Sequence, residues 1–96
     1  MTYTYKTTKT FERDLKRCKK RGYNLQLIKD AISALIEHGS LPSHYHPHKL
    51  VGDQKGRWEC HIKPDWLMIW EQNDNESTLL MIETGTHSDL FGKLKR

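Results

Sequence analysis

The sequence predicts an α+β fold in which an N-terminal helical hairpin packs on one face of a twisted antiparallel sheet. Apolar residues recur at intervals of three and four through the first half of the chain, a spacing typical of amphipathic helices. Three apolar runs of strand length fill the second half, and a short alternating segment opens the chain. The expected order of elements is β-α-α-β-β-β, with the opposite sheet face available for a ligand.

The opening strand and the first helix lie before Gly22. The segment TYTYK, residues 2–6, alternates aromatic with polar side chains and predicts a strand. From Thr10 the pattern becomes helical, with basic residues opposite the apolar ones, until Gly22 ends it. The apolar positions of this helix are Phe11, Leu15 and Cys18.

A second helix follows after a short turn. Asn24 is a good N-cap, and Gly39 supplies the left-handed residue that commonly ends a helix. The apolar positions between them are Leu25, Ile28, Ala31, Ile32, Leu35 and Ile36. The two helices therefore form a hairpin with an apolar seam.

The strands of the second half follow a polar loop, residues 40–56. Their sequences are RWECHI, WLMIWEQ and STLLMIETG, most simply arranged as an antiparallel meander. In RWECHI, period-two alternation places Trp58 and Cys60 on the core face and His61 on the opposite face. We therefore expect His61 to point away from the core.

Length and composition predict one domain spanning residues 1–96. No run approaches the roughly 18 apolar residues of a membrane span, and the N-terminus lacks the apolar region of a secretory signal. We expect a cytoplasmic protein without membrane association. Cys18 and Cys60 have no CxxC spacing, which predicts two reduced, packed thiols.

Positive charge is concentrated near the N-terminus. The formal net charge is +4, and eight of the sixteen Lys and Arg residues lie between Lys6 and Arg21. Such a cluster attracts phosphates or an acidic protein partner, although a solvated helix face is the simpler interpretation. A DNA-binding or metal-binding accessory protein is a further alternative.

Histidines are the candidate chemical groups. His44, His46 and His48 form an HxHxH array that binds zinc or copper when extended, but Pro47 interrupts it, so we expect no metal. His61, Asp65 and His87 suggest other chemistry. Cleavage of an RNA phosphodiester needs a base for the ribose 2′-OH and an acid for the departing 5′-oxygen, and histidine serves in either role without a metal or cofactor.

Two blocks of sequence resemble a known family. HPHKLVGDQKGRWECHIKPDWLMIW and ETGTHSDLFG are similar to the YafQ branch of the RelE/ParE superfamily of bacterial toxin–antitoxin systems, through the P-D-W and T-G-T-H motifs and their separation. The resemblance implies a RelE/ParE-like fold. It also implies a ribosome-dependent endoribonuclease, an mRNA interferase, that acts on mRNA at the ribosome and is inhibited by a cognate acidic antitoxin.

The resemblance also implies site residues. The catalytic positions match His48, His61, Asp65 and His87. His87 is the expected general acid, whereas His48, His61 and Asp65 all remain candidates for the base or the group that orients it.

The family pattern has an arginine where this chain has Glu83, so phosphate binding must depend on other residues. The predicted RNA-binding residues are Arg57, Lys63, Lys55, Trp66 and Phe91. Trp66 and Phe91 are also candidates for core packing. The alternative function is that of a ParE-type toxin, which inhibits an enzyme by binding and needs no proton-transfer groups.

Overall fold

A computed structural model describes residues 2–52 and 56–92 of the chain. The strands are β1 (Thr4–Thr7), β2 (His48–Lys49), β3 (Arg57–Lys63), β4 (Trp66–Asn73) and β5 (Thr78–Gly85). The helices are α1 (Lys9–Lys20) and α2 (Leu25–His38). A 3₁₀ turn (Ser43–Tyr45) precedes β2, and a π-helical turn (Ser88–Gly92) follows β5. The α+β class and the predicted order of elements are confirmed, with β2 as an added short strand.

The five strands form one sheet in the order β1-β5-β4-β3-β2. The strands β2 to β5 pair antiparallel, as predicted. The expectation of an entirely antiparallel sheet is wrong for β1, which pairs parallel with β5 in the register Thr4↔Thr78. The helical hairpin and the strands β2 to β4 lie between β1 and β5 in sequence. The first strand nevertheless enters the sheet beside the last one.

Both helices begin and end at residues that the sequence indicates. The Asn24 side chain accepts a hydrogen bond from Gln26 N–H, and Gly39 closes α2 in the left-handed conformation at φ 69°. Thr8 caps α1 by accepting from Phe11 N–H, so the helix begins at Lys9, one residue before the predicted start at Thr10. These caps satisfy backbone donors that the first turn of a helix leaves unpaired.

The main core lies between the helices and one face of the sheet. Its fully buried members include Phe11, Ile28, Leu35, Cys60 and Trp70. A smaller cluster on the other face contains Leu67, Ile69 and Leu90. β4 is therefore buried on both faces of the sheet, and the face opposite the helices has a small apolar centre.

Cys18 and Cys60 are free and buried, which confirms the prediction of packed thiols. Burial raises the pKa of both, and that of Cys60 to about 12. No helix in the described part of the chain is long and apolar enough to cross a membrane.

Candidate active site

Asp65 and His87 form a hydrogen-bonded dyad beside the turn between β3 and β4. One carboxylate oxygen, Asp65 Oδ1, accepts the backbone N–H of His87 at 2.8 Å and contacts the ring Nδ1 at 2.6 Å. The backbone hydrogen bond, followed by the ring hydrogen bond, lowers the pKa of Asp65. An ionised carboxylate only accepts, so Nδ1 carries the proton and Nε2 is the nitrogen that faces a substrate.

A capping arrangement fixes the segment that carries His87. The N–H of Thr86 donates to Asp89 Oδ2 at 2.9 Å, and the N–H of Asp89 donates to Thr86 Oγ1 at 3.0 Å. Arg21, at the end of α1, donates two hydrogen bonds to Asp89 at 2.7 and 3.1 Å. Hydrogen bonding from Arg21, the largest cause, holds the pKa of Asp89 well below its usual range.

Gly85 allows this close packing at the end of β5. A Cβ atom there would lie 2.7 Å from Asp89 Oδ2 and 2.9 Å from the Arg17 Nη2 atom. Such contacts are shorter than real Cβ atoms make, so the glycine of the T-G-T-H motif has a steric role. The ion pairs of Arg17 and Arg21 therefore place β5, and with it His87, relative to α1.

His61 lies at the centre of a row of imidazoles. Its ring centroid is 5.8 Å from that of His87 and 5.8 Å from that of His46. His61 is half-buried on the face opposite the main core, as the alternation of β3 predicts. Within residues 2–52 and 56–92, neither of its ring nitrogens makes a hydrogen bond, so a lone pair is available to accept a proton.

His48 lies apart from this row and uses both ring nitrogens. Its Nδ1 contacts the backbone oxygen of His46 at 3.0 Å, and its Nε2 contacts Glu59 Oε1 at 3.0 Å. The carbonyl only accepts, so Nδ1 must donate. The second contact needs a proton on either Nε2 or the Glu59 carboxyl group, and in both cases Nε2 has no free lone pair. His48 is therefore built as a structural link between β2 and β3.

Two carboxylates flank the apolar centre of the same face. Ile69 is paired with Glu59 on one side and with Glu83 on the other, whereas the next row along contains His61, Leu67 and Gly85. Glu83, the departure from the family pattern, therefore lies one step along β5 from the row of His61. The carboxylates of Glu59 and Glu83 thus lie on β3 and β5. The imidazoles of His61 and His87 lie near the end of β3 and just after β5.

The predicted RNA-binding residues are dispersed. Lys63 is exposed at the end of β3, next to the dyad. Arg57 begins β3, pairs with Glu71 at 3.2 Å, and lies roughly 13 Å along the strand from His61. Phe91 is 43% exposed in the π-helical turn. Lys55 lies outside the described residues.

The burial of Trp66 argues against a stacking role on a base. Its side chain is only 3% exposed, its ring packs against Tyr23, and its Nε1–H donates to Thr84 Oγ1 at 2.9 Å. A base cannot reach the face of a ring that the core already covers. Trp66 therefore has the packing role that was the sequence-based alternative.

Sequence reasoning missed His46 as a member of the imidazole row and Asp89 as a support of His87. His46 was considered only as a member of a metal-binding array, which Pro47 interrupts. Asp89 and Arg21 are 68 residues apart, and pairing at that separation leaves no periodic pattern. A basic residue ending α1 and an acidic residue after T-G-T-H were the only available signals.

Known proteins are similar to this chain in sequence and in fold. A family model described as a bacterial toxin of type II toxin–antitoxin systems, YafQ, matches residues 3–92. The chain is similar to the mRNA interferase toxin YafQ of Escherichia coli (strain K12), with 37% identity over 84 residues that cover 85% of this chain and 88% of that protein.

Solved structures give the same result. A chain in the crystal structure of the E. coli DinJ-YafQ toxin–antitoxin complex matches at a TM-score of 0.86 and 31% identity, covering 96% of this chain and 100% of that one. A metal-bound toxin from Helicobacter pylori matches at a TM-score of 0.84 and 37% identity, covering 95% and 100%.

Proposed function

This chain belongs to the YafQ family of bacterial type II toxins, and from that membership we propose that it is an mRNA interferase, an endoribonuclease that cuts mRNA on the ribosome by metal-independent acid–base catalysis. The observation that carries the proposal is the position of His61 and His87. Their rings lie 5.8 Å apart, one without a hydrogen-bond partner among the described residues and the other oriented by Asp65.

The proposed reaction uses these two imidazoles in complementary roles. His61 takes the proton of the ribose 2′-OH, and the 2′-oxygen attacks the adjacent phosphorus. The bond from phosphorus to the 5′-oxygen breaks as His87 Nε2 gives that oxygen a proton. The products are a 2′,3′-cyclic phosphate and a 5′-hydroxyl end. Each proton-transfer group contributes about 10²- to 10⁴-fold in rate.

Asp65 supports the acid role of His87. A carboxylate hydrogen-bonded to Nδ1 stabilises the imidazolium form and directs Nε2 outward. The contacts of both His48 ring nitrogens, with His46 and Glu59, favour a supporting role for His48 over the base role. Among the three candidates from the sequence, His61 therefore takes the base role and Asp65 the orienting role.

The proposed partners of the chain follow from its family and from the positive charge of α1. In the proposal, the chain binds a cognate antitoxin with acidic segments and acts on cytoplasmic ribosomes, where its mRNA substrate is held. The basic residues of α1 supply an electrostatic surface for ribosomal RNA or antitoxin. Arg17 and Arg21 contribute less to it than their charge indicates, because both are paired with Asp89.

The test is expression in cells that lack the antitoxin. Wild type is expected to arrest growth, and mapped mRNA ends should carry 5′-hydroxyls within translated frames. His87→Ala should abolish both effects. His38→Ala is the matched control, because His38 is an exposed histidine at the end of α2. Arrest by wild type without new mRNA ends would instead support the ParE-type alternative of inhibition by binding.

A further inference from the structure

We infer that His46 and Lys63 form a phosphate-binding subsite that holds the RNA linkage next to the one being cut. The inference rests on the proposed function, since it deepens the same site. His46 is the third imidazole of the row, edge-on to His61 with an interplanar angle of 78°. A substrate that reaches His61 and His87 therefore extends past His46.

The structure holds His46 in a fixed place. Its backbone has φ 51°, in the left-handed region, and its N–H donates to Ser43 O at 2.9 Å. Its carbonyl oxygen accepts from His48, which is itself held by Glu59. A left-handed residue that is not glycine is uncommon and persists where its surroundings determine it. The His48–Glu59 pair is thus a support for His46.

The surface beside His46 has room and charge for a nucleotide. A depression of about 590 Å³ lies between the 3₁₀ turn and the end of β3. Among the described residues, its lining consists of His44, His46, His61, Ile62, Lys63 and Pro64. None of those side chains bears a carboxylate, and Lys63 adds a permanent positive charge.

The neighbouring surfaces repel a phosphate. Along β5 lies Glu83, in the position where the family pattern has arginine. On the other side of Pro64 is a second depression of about 500 Å³, which Lys63 also lines but to which Asp65 adds a carboxylate. A carboxylate beside a bound phosphate raises its energy, so in this proposal the RNA backbone runs along His46 and Lys63.

The first experiment measures binding without cleavage. A short single-stranded RNA with 2′-O-methyl groups cannot be cut, and its affinity is measured by fluorescence anisotropy over a salt series. His46→Asn removes the imidazole and tolerates the left-handed backbone. It is expected to weaken binding about tenfold, the effect of losing one hydrogen bond to a charged group. At about pH 5, below the ordinary histidine pKa of roughly 6.5, the slope of log affinity against log salt should fall by about 0.7, as for one lost phosphate contact on single-stranded RNA.

Matched variants separate charge from structure. His46→Lys places a cation at the same position and should retain the salt slope at that pH, whereas Lys63→Gln should lower it by about 0.7. His38→Asn, the same change at a remote exposed histidine, should leave both affinity and slope as in wild type. An unchanged slope in both His46→Asn and Lys63→Gln would overturn the inference.

The second experiment tests the proposed function separately, by cleavage of mRNA on purified programmed ribosomes. If wild type cuts and the His46→Asn protein matches it in affinity and salt slope, the subsite is wrong and the function stands. If wild type fails to cut while His46→Asn still loses affinity and slope, the subsite stands and the proposed reaction is wrong.

Discussion

A single oxygen of Asp65 accepts both the backbone N–H and the ring of His87, at 2.8 and 2.6 Å. The two hydrogen bonds fix the ring relative to its own backbone. They also place the negative charge of the carboxylate next to the ring that is proposed as the general acid. This relationship makes Asp65 a positioning residue for the proposed reaction.

Asp65→Asn is expected to lower the rate of single-turnover cleavage about a hundredfold, because the neutral amide no longer stabilises the imidazolium. The change should leave the folded state intact, since Asp65 is exposed. Cleavage of ribosome-bound mRNA measures the rate, and circular dichroism checks the fold. A rate equal to that of wild type would remove Asp65 from the mechanism.

The titration of Asp65 gives an independent test by NMR. The folded pKa is lowered from the ordinary value of 3.8, so the interaction stabilises the protein above that pH and is lost as the pH falls through the folded pKa. In His87→Ala the ring hydrogen bond is absent but the backbone N–H, the larger cause, remains. The midpoint should therefore rise only part of the way towards 3.8. A midpoint that does not change would contradict the dyad.

Asp14 joins α1 to β5, because its Oδ2 accepts the backbone N–H of buried Thr84 at 3.1 Å. Asp14→Ala leaves that donor without a partner and should lower the free energy of unfolding by about 1–3 kcal/mol. Asp14→Asn keeps an acceptor oxygen for that N–H. Burial already disfavours the charged form by raising the pKa of Asp14, so the loss of stability in Asp14→Asn should be smaller than in Asp14→Ala. Urea unfolding compares the two. Equal losses would show that charge, not the acceptor, is what matters.

Arg21→Lys tests whether the geometry around Asp89 positions His87. Lysine keeps the charge but cannot make the two parallel hydrogen bonds of the guanidinium. Because Arg21 is partly exposed, the stability loss should be modest, about 1 kcal/mol or less. The cleavage rate should fall more than RNA affinity does. If rate and affinity fell together, Arg21 would instead be a contact to RNA.

Trp66→Phe separates packing from base stacking. Phenylalanine keeps an aromatic face but leaves Thr84 Oγ1 without its indole donor, so stability should fall by about 1–2 kcal/mol. Affinity for uncleavable RNA should remain that of the wild type at temperatures where both proteins are folded. A weaker affinity with unchanged stability would restore the stacking role that burial argues against.

Local signals in the sequence predicted local structure well. Asn24 and Gly39 marked both ends of α2, and the alternation of β3 gave the direction of His61. The approach of His61 to His87 followed from the resemblance, since no pattern within either segment requires it. Helix caps and strand faces depend on near neighbours, which is why the sequence reveals them.

Nonlocal features were the ones missed. The parallel pairing of β1 with β5 depends on how the helices return the chain, and alternation within β1 is the same for either direction. The position of His46 depends on a left-handed backbone and on a hydrogen bond from His48. Such arrangements arise from the assembled sheet, so they were visible only in three dimensions.

The pairing of β1 with β5 also has a consequence for biosynthesis. Thr4 pairs with Thr78, so β1 is synthesised well before the strand beside it in the sheet. β1 therefore has no partner strand until β5 has been made. Contacts of such long sequence separation slow folding. A nascent chain of this topology has no complete sheet until β5 emerges, so the proposed site at the end of β5 is assembled only after β1 to β4 have been made.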